Sequence, residues 1–577
     1  MRRAIRGRLR ILSLALFLIA ALLIVRLYFV QVVHGADFAL RAERQYISAS
    51  QELYDRGSIY FTRKDGTIIS AATLSNGFTI AMTPKRLTDP SAAFAALSTV
   101  LTLSEEDFMK SAARLDDPYE VVARRVSEEQ GKAIEALDID GIQLERERWR
   151  SYPGSTRAAQ SIGFVAFDDD DTLAGRFGLE RYYNDVLSRG SVGLFGNFFS
   201  ELFANIDSVV VDARETREGD LITSIEPVVQ EKLDQILLSV NTQYGSRETG
   251  GIIMDPKTGE IIALDTAPSF NANDFANGDS THFGNPLVEH RYEFGSIVKA
   301  LTMAAGLDSG AVTANTTYND TGCTTLNNKK FCNYDLKARG VTPMQEVLSQ
   351  SLNMGAAFIA LKVGHERMRH YFKDLGMGTE TGIDLPSEIS GSLSNIETSP
   401  RDIEYATASY GQGIAQTPVE MVRALGALAN QGQIVTPHLV RSVRLESGIE
   451  KKLSWGAPKR VFSAVATEET TRMLVNVVDL KLAEGKVRIP EMSVAAKTGT
   501  AQIAGPGGKY SEDRYFHSFF GYFPAYDPQF IILLYTREPQ NVKYASETLT
   551  HPFMDLTHFL INYYAIPPDR AEYPSTI

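Results

Sequence analysis

The stretch GGIIMDPKTGEIIALDT, residues 250–266, has the pattern of a β-hairpin. Two arms rich in isoleucine flank a short polar turn, Lys257-Thr258-Gly259. β-Branched arms on either side of a glycine-containing turn predict two paired strands. Because both arms are apolar, the hairpin is expected to lie inside a larger sheet that other elements cover.

The segments around this hairpin complete the prediction. The amphipathic segment 223–240 precedes it, and several helical segments follow it. Three strand-like segments come next, MSVAAKTGTAQIA, HSFFGYFPA and QFIILLYTRE, and an amphipathic segment, residues 551–565, follows them. This order predicts a mostly antiparallel sheet faced by helices, in the α/β or α+β class. Capping boxes are expected at Thr342–Gln345 and Thr417–Glu420, with Gly432 ending the second helix.

Composition and charge limit the classes of function. The chain has 577 residues, of which 44% are hydrophobic and 22% charged, as in ordinary globular proteins. Its net charge is −12. Six of the 58 basic residues lie in residues 1–33, which leaves 52 basic against 70 acidic residues in the remainder. An acidic remainder argues against nucleic acid as a partner.

The N-terminus predicts a membrane anchor. A basic tail, residues 1–10, precedes ILSLALFLIAALLIVRLYFVQVV, residues 11–33, which as a helix would be about 35 Å long and could cross a bilayer. Arginines before the span predict an inner-membrane, single-pass protein with a cytoplasmic N-terminus and a periplasmic or extracellular bulk. A cleaved signal peptide is the alternative, but no small-residue cleavage site is evident.

The region after the span, residues 34–235, contains no cluster of residues that suggests chemistry. It predicts an elongated α+β pedestal, with two strands around a turn at residues 64–66 and short helices joined by polar loops over residues 87–145. We therefore expect the chemistry in a second domain, residues 236–577.

The two cysteines agree with an outside location. Cys323 and Cys332 lie nine residues apart in the polar segment TGCTTLNNKKFC. An oxidising compartment favours a disulfide between them, with free thiols as the alternative.

One serine and one lysine suggest a catalytic pair. SIVKALTMAAGLDSG, residues 296–310, predicts a helix that begins at Ser296 and stops near Gly310. Lys299 lies on the face of Ser296 and among apolar residues. A buried lysine without a partner tends to lose its proton, and a neutral amine can then act as general base for a neighbouring hydroxyl. The spacing serine-x-x-lysine occurs only once, although by itself it is a weak signal.

Two further segments could complete such a site. Ser351-Leu352-Asn353 falls between a predicted helix and an apolar one, where both polar side chains could enter a cleft or simply form a turn. Lys497 begins Lys-Thr-Gly-Thr inside a predicted strand. A glycine inside a strand often marks close approach of a ligand or backbone, whereas the same three letters at Lys257 are explained by an exposed turn.

The three motifs, in this order, resemble those of penicillin-binding proteins and serine β-lactamases. The segments RGSIYFTRKDG, YPGSTRAAQSIGFV, GLERYYNDVL, DPKTGEIIAL, YGQGIAQTP and FFGYFPAYDP extend the resemblance to class B penicillin-binding proteins over nearly the whole chain. These are monofunctional peptidoglycan transpeptidases with an N-terminal pedestal. The chain departs from the family at Phe294, where a proline is usual, and at Ile297-Val298, which replace threonine-phenylalanine.

The resemblance implies a set of site residues. It assigns catalysis to Ser296, Lys299, Ser351, Asn353 and Lys497. It assigns substrate binding to Thr498, Gly499 and Thr500, and the oxyanion hole to the backbone N–H groups of Ser296 and Thr500. No metal or other cofactor is expected.

The resemblance also implies a reaction and partners. The reaction is cross-linking of stem peptides through an acyl-enzyme formed at a D-Ala-D-Ala terminus, with β-lactams as covalent inhibitors. The expected partners are a SEDS-type glycan polymerase and other membrane proteins of the divisome or elongasome. Asn353, where some elongation enzymes carry aspartate, and the compact pedestal favour a division role.

Other functions remain open at this point. A membrane-anchored β-lactamase or D,D-carboxypeptidase would use the same serine, but the E-x-x-L-N string of class A β-lactamases is absent. A non-catalytic cell-wall scaffold is the alternative from a different class, and the intact set of motifs counts against it.

Overall fold

In the computed structural model of the chain, the described residues are 55–167, 173–189, 218–445, 447–505 and 509–570. The predicted tail, residues 1–10, the predicted membrane helix, residues 11–33, and the start of the predicted pedestal, up to residue 54, lie outside them. Within the described ranges, no helix is both long and apolar enough to cross a bilayer.

The described residues contain twenty strands. In chain order they are β1 (Ile59–Thr62), β2 (Ile68–Met82), β3 (Glu120–Ser127), β4 (Ile142–Ser151), β5 (Val165–Phe167), β6 (Leu173–Gly175), β7 (Gly219–Thr223), β8 (Glu248–Met254), β9 (Ile261–Ala267), β10 (Thr317–Asp320), β11 (Cys323–Leu326), β12 (Lys329–Cys332), β13 (Gly340–Pro343), β14 (Gln433–Ile434), β15 (Val440–Leu445), β16 (Glu450–Lys452), β17 (Lys459–Arg460), β18 (Ala495–Ala504), β19 (Tyr510–Phe523) and β20 (Phe530–Arg537).

The α-helices of the same residues are, in chain order, α1 (Pro90–Leu97), α2 (Glu105–Ala112), α3 (Glu128–Glu135), α4 (Ala159–Ile162), α5 (Gly178–Tyr182), α6 (Asn184–Leu187), α7 (Pro227–Tyr244), α8 (Pro286–Glu289), α9 (Val298–Asp308), α10 (Met344–Ser349), α11 (Asn353–Val363), α12 (His365–Asp374), α13 (Ser394–Thr398), α14 (Asp402–Ala408), α15 (Pro418–Ala429), α16 (Ala464–Leu480), α17 (Ala545–Thr548) and α18 (Thr550–Tyr564). Short 3₁₀ turns connect some of them.

These elements form two compact units. The smaller unit contains Asp55 and residues 74–149 among the described residues, and the larger contains the rest. The domain boundaries drawn from the sequence stay predictions.

The smaller unit is a small α+β layer. The end of β2 pairs antiparallel with β3, and Ile80, Leu97, Phe108 and Ile134 are buried together in its core. The expectation of helices and loops alone over residues 87–145 was wrong, because β3 and the start of β4 lie there. Both strands carry many arginines and glutamates, so a partly solvated sheet face looked like a polar loop in the sequence.

The larger unit contains a five-stranded sheet with the order β18-β19-β20-β8-β9, and each neighbouring pair is antiparallel. The α+β class and the hairpin at residues 250–266 are thereby confirmed. Neighbouring residues of one strand face opposite sides: Ile252 is in the core with α9 and α15, and Ile253 is in the core with α7 and α18. Since both faces are covered, the three strands β8, β9 and β20 are mostly apolar.

The two predicted capping boxes have different outcomes. At Thr417 and Glu420 the box is present and α15 starts there; the helix ends at Ala429, with Gly432 just beyond it. At Thr342 the expectation was wrong: Thr342 lies in β13, opposite Tyr318 of β10, and α10 begins only at Met344. The backbone of Thr342 pairs with β10, a strand that is distant in sequence, and is therefore extended rather than at the start of a helix.

Candidate active site

The Ser296 turn lies against the edge strand β18. Ser296 is in a 3₁₀ turn, Gly295–Ile297, that leads directly into α9, which ends at Asp308, close to the predicted stop. Gly295 has a φ of +63°, and a Cβ atom there would lie 2.8 Å from the carbonyl oxygen of Thr500. Only glycine therefore allows this turn to approach β18 so closely.

Lys299 is buried completely, at 0% exposure. Its Nζ donates to the carbonyl oxygen of Ser351 at 2.6 Å and to Ser351 Oγ at 3.2 Å. Burial, followed by the charge of Lys497, lowers the pKa of Lys299 well below its usual value. This lowering shifts Lys299 toward its neutral form, in the direction that the apolar sequence around it predicts.

Ser351 and Asn353 lie at the junction of α10 and α11, as their sequence context predicts. Ser351 has a φ of 56°, a left-handed conformation that breaks the chain between the two helices. Both side chains are half-buried. Asn353 begins α11, and its Nδ2 donates to the carbonyl oxygen of Cys332 at 2.8 Å.

Lys497 comes from β18. It is only 3% exposed, and its Nζ donates to Ser351 Oγ at 3.1 Å and to the carbonyl oxygen of Thr498 at 2.9 Å. Burial lowers the pKa of Lys497 to about 7. A single hydroxyl, Ser351 Oγ, is therefore in contact with the amines of two different motifs.

The remainder of the third motif borders the same place. Thr498 and Thr500 are half-buried, and Gly499 between them is buried. A Cβ atom on Gly499 would lie 2.5 Å from the carbonyl oxygen of Phe294, so the glycine permits contact between β18 and the Ser296 turn. β18 is the last strand of its sheet among the described residues, and an edge strand can accept an extended peptide.

The three motifs thus converge although they are far apart in sequence. Half-buried Ser296 is within reach of solvent, whereas Lys299, one helical turn further on, is not. Two adjacent buried ammonium groups repel each other, so the site favours at most one charge on the lysine pair. A reachable hydroxyl beside a neutral amine, with a second amine that can hold a proton, has the parts needed for acyl transfer through a serine.

Several residues at the site were missed by the sequence reasoning. The ring of Tyr410 has its centroid 5.9 Å from Lys299 Nζ, and burial raises the pKa of this tyrosine. Glu293 accepts from Tyr510 Oη at 2.9 Å and from the N–H of Gly413 at 3.1 Å. The two glycines of YGQG are a sequence signal for a tight loop, and Gly411 and Gly413 do have positive φ angles in the structure. The sequence gives no signal that this loop lies beside Lys299.

Phe294, the departure from the usual proline, is fully buried. Its ring packs edge-on against Phe516 at 5.2 Å, and its carbonyl oxygen accepts from Ser518 Oγ at 2.7 Å. Phe294 therefore ties the start of the Ser296 turn to β19.

The comparisons with known proteins agree with this site. The family model of the penicillin-binding protein transpeptidase domain matches residues 249–555, more than half of the chain. The model of the penicillin-binding protein dimerisation domain matches residues 54–194.

Relatives and solved structures cover most of the chain. Stage V sporulation protein D of Bacillus subtilis is 28% identical over 559 residues, covering 95% of this chain and 84% of that protein. Peptidoglycan D,D-transpeptidase MrdA of Acinetobacter baumannii is 26% identical over 585 residues, covering 92% and 84%. The crystal structure of penicillin-binding protein 3 from Mycobacterium tuberculosis, complexed with aztreonam, has a TM-score of 0.67 at 21% identity and covers 90% of this chain and 98% of that one.

Two lysine amines that meet at Ser351 Oγ, next to a sheet edge and a helix start that carries a serine, define a class of acyl-transferring site, and the family model shows which class this is. The chain belongs to the penicillin-binding protein transpeptidase family.

Proposed function

We propose that this protein is a peptidoglycan D,D-transpeptidase that cross-links stem peptides through an acyl-enzyme on Ser296. One observation carries the proposal: the amines of Lys299 and Lys497 both contact Ser351 Oγ, beside the turn that holds Ser296. This arrangement gives a nucleophile, a neutral base and a route for the proton, as acyl transfer requires.

In the first step, neutral Lys299 accepts the proton of Ser296, and Ser296 Oγ attacks the carbonyl carbon between the two terminal D-alanines. The backbone N–H groups of Ser296 and Thr500 hold the oxygen that becomes negative. The C–N bond then breaks, and the terminal D-alanine leaves with a proton that Ser351 transfers with the help of Lys497. An ester remains on Ser296.

In the second step, an amine of a neighbouring stem peptide attacks this ester. A new amide bond forms, and Ser296 Oγ takes back a proton as it leaves. Asn353 orients the amide of the donor. Before the ester forms, Thr498 and Thr500 bind the carboxylate of the terminal D-alanine. This carboxylate raises the pKa of Lys497, which favours the charged form of the lysine in the substrate complex.

The same serine is the target of β-lactams, whose strained amide takes the place of the D-Ala-D-Ala bond. A β-lactam ester has no departing D-alanine to make room for an acceptor amine, so the adduct persists.

The location and the partners are part of the proposal. Residues 11–33 anchor the protein in the inner membrane, with a cytoplasmic N-terminus and the larger unit in the periplasm. A SEDS-type glycan polymerase supplies the strands to be cross-linked, in the division machinery. The charge asymmetry of the N-terminus and the disulfide between Cys323 and Cys332 support an outside location for the larger unit.

The first test is the intact mass of the full-length protein in detergent after incubation with benzylpenicillin, measured over hours. We expect a stable adduct that maps to Ser296 and is absent in Ser296→Ala. Ser309→Ala is the matched control, because Ser309 caps the other end of α9, and this variant should be acylated like the unsubstituted protein.

The outcomes separate the alternatives. A transient adduct with penicillin turnover would indicate a β-lactamase, and an adduct in Ser296→Ala would refute the assignment of the nucleophile. Complete absence of an adduct would favour a scaffold. A stable adduct combined with release of free D-alanine, but no cross-linked product from lipid-linked glycan strands, would indicate a D,D-carboxypeptidase.

The division role is tested by depletion of the protein in its own cells. A division enzyme should leave filaments, and a fluorescent fusion should collect at mid-cell. Rounded cells and a dispersed fusion would instead assign the protein to elongation.

A further inference from the structure

A small hairpin closed by a disulfide lies next to the site. We call the segment of β11, β12 and the residues between and after them, residues 323–333, the disulfide hairpin. Cys323 and Cys332 face each other in its strand ladder and are joined by a disulfide bond. Two four-residue strands have little stability of their own, so the covalent link is expected to hold this hairpin in one conformation.

The first contact of the disulfide hairpin is with Asn353. The carbonyl oxygen of Cys332 accepts from Asn353 Nδ2 at 2.8 Å. This bond uses one of the two amide donors of Asn353 and thereby sets the orientation of the amide. A disulfide-bonded residue is thus the direct partner of a residue to which we assign substrate orientation.

The second contact is with the start of α11. Asn333 is buried, and its Oδ1 accepts from the N–H of Met354 at 3.1 Å. Its Nδ2 donates to both carboxylate oxygens of Asp320, each at 2.9 Å. The residue after Cys332 therefore caps the helix that begins with Asn353.

The third contact is with the cover of Lys299. The ring of Phe331 is buried, and its centroid lies 6.3 Å from that of Tyr410. Tyr410 in turn faces Lys299 Nζ, with 5.9 Å between the nitrogen and the ring centroid. Phe331 and Tyr410 therefore form two successive layers over the base.

The fourth contact connects the tip of the hairpin to the same layer. Asn327 Oδ1 accepts from the N–H of Ile403 at 3.1 Å, in the first turn of α14. α14 ends at Ala408, two residues before Tyr410. The hairpin thus touches both α11 and the segment that leads to Tyr410.

We propose that the disulfide hairpin is a positioning element for the acylation step, because the bond between Cys323 and Cys332 keeps Cys332 on Asn353 and Phe331 on Tyr410. The inference rests on the proposed transpeptidase function. The oxidised protein acylates Ser296 faster than the reduced protein, so the oxidising compartment supplies a condition for full activity.

The test separates the acylation rate constant from the binding constant for a fluorescent penicillin, using the full-length protein in detergent. In Cys323→Ala/Cys332→Ala, we expect the rate constant to fall about 10- to 100-fold, as for a site displaced by a fraction of an ångström to one ångström. The binding constant should change much less, because the carboxylate-binding threonines belong to β18 and not to the hairpin.

Leu237→Ala is the matched control for general instability. Leu237 is buried between α7 and the far face of the sheet, so its truncation lowers the unfolding temperature without touching the hairpin. If this variant is as unstable as the double cysteine variant, it should still acylate at the rate of the unsubstituted protein.

Reversible reduction of the disulfide is an independent test of the proposal. A water-soluble phosphine reduces the disulfide to two thiols and is itself oxidised to the phosphine oxide, whose oxygen comes from water. After its removal, the rate constant should match that of the double variant, and it should recover when oxidised glutathione restores the bond. The double variant itself should not respond.

A pH profile distinguishes positioning from mere stabilisation. Opening the layer of Phe331 and Tyr410 admits water to Lys299, so the rising limb of the acylation rate should move to higher pH. Phe331→Leu, which keeps the disulfide, should shift the limb in the same direction and remains informative if the double variant does not fold.

Unchanged acylation rate and pH profile in the reduced protein would overturn the inference, as would an equal loss in Leu237→Ala. Absence of any adduct in the oxidised protein would instead refute the proposed function.

Discussion

The tripeptide lysine-threonine-glycine occurs in two regions of this molecule, at Lys257 and at Lys497. At Lys257 it forms the turn between β8 and β9; the side chain is 47% exposed and pairs with Asp527 at 2.5 Å. At Lys497 it lies inside β18; the side chain is 3% exposed and donates to Ser351 Oγ.

The difference teaches that the three letters alone do not define the motif. The exposed Lys257 stays solvated, so replacing water by Asp527 as its partner adds little to the free energy of unfolding. The buried lysine loses its solvation, which lowers its pKa to about 7 and makes it able to give or take a proton near neutral pH. The ability of Lys497 to transfer protons therefore depends on the burial of β18 and on the contact with Ser351, which lies 146 positions away in the sequence.

The largest expected effect is on acylation. Lys497→Met should lower the second-order rate constant for fluorescent penicillin about 10²- to 10⁴-fold, because it removes both a proton carrier and the field that attracts the carboxylate. Lys257→Met, in the same three-letter context, should stay within about twofold of the unsubstituted protein, as expected for a surface charge. Equal losses of acylation rate in the two variants would refute a specific catalytic role for Lys497.

The two glycines should separate activity from stability. In Gly499→Ala, the new Cβ would lie 2.3 Å from Ser518 Oγ and 2.5 Å from the carbonyl oxygen of Phe294, so it would push the Ser296 turn away. We expect acylation to fall about 10- to 100-fold.

In Gly259→Ala, the φ of +86° and a carbonyl oxygen 2.2 Å from the new Cβ strain the turn instead. We expect a loss of about 1–3 kcal/mol in unfolding free energy and, below the unfolding temperature, normal acylation. Denaturant titrations and acylation rates, measured on both variants, check whether Gly499→Ala mainly loses activity and Gly259→Ala mainly loses stability. The reverse pattern would contradict both expectations.

The third effect is on the pH dependence of stability. Since the pKa of Lys497 is about 7 in the folded protein and about 10.4 when unfolded, the unfolded state binds more protons between these values. This group therefore makes the free energy of unfolding rise with pH from about 7 to 10 and adds no slope below 7.

Lys497→Met removes that slope, so the variant should gain stability relative to the unsubstituted protein by a few kcal/mol at pH 7, less at pH 10. Urea unfolding at several pH values measures the difference, in which the titrating groups away from Lys497 cancel. Lys299 adds to the difference, because its pKa rises when the charge of Lys497 is removed. A difference that does not change with pH would show that Lys497 keeps an ordinary pKa.

The smallest effect is expected at the exposed turn. Lys257→Ala loses its ion pair with Asp527, and the unfolding free energy should change by about 0–1 kcal/mol, less at high salt. Unfolding titrations at low and high salt, with Asp527→Ala as the partner variant, measure the coupling. A loss of several kcal/mol would contradict the assignment of this turn to a solvated surface.

Much of the larger unit could be predicted from local patterns. The hairpin at residues 250–266, the helix that follows Ser296 and the capping box at Thr417 all depend on contacts between residues close in sequence. The capping box predicted at Thr342 does not form, because pairing of β13 with β10 holds this segment as a strand, and local patterns carry no sign of that pairing. β3 and β4 were missed because their charged residues hid the alternation of a half-solvated sheet.

The sequence by itself determined the inventory of reacting groups. The spacing of Ser296 and Lys299 places them on one helical face, and the apolar residues around Lys299 predict its burial and its lowered pKa. The order of the three motifs was sufficient to suggest the family.

Only the tertiary structure decided that the amines of Lys299 and Lys497 meet at Ser351. It also decided that Tyr410 covers Lys299 and that the disulfide hairpin holds Asn353. The physical reason is that helix and turn geometry extends over only a few residues. Distances between segments 52 or 146 residues apart are set by the packing of whole elements, for which a single sequence carries no local signal.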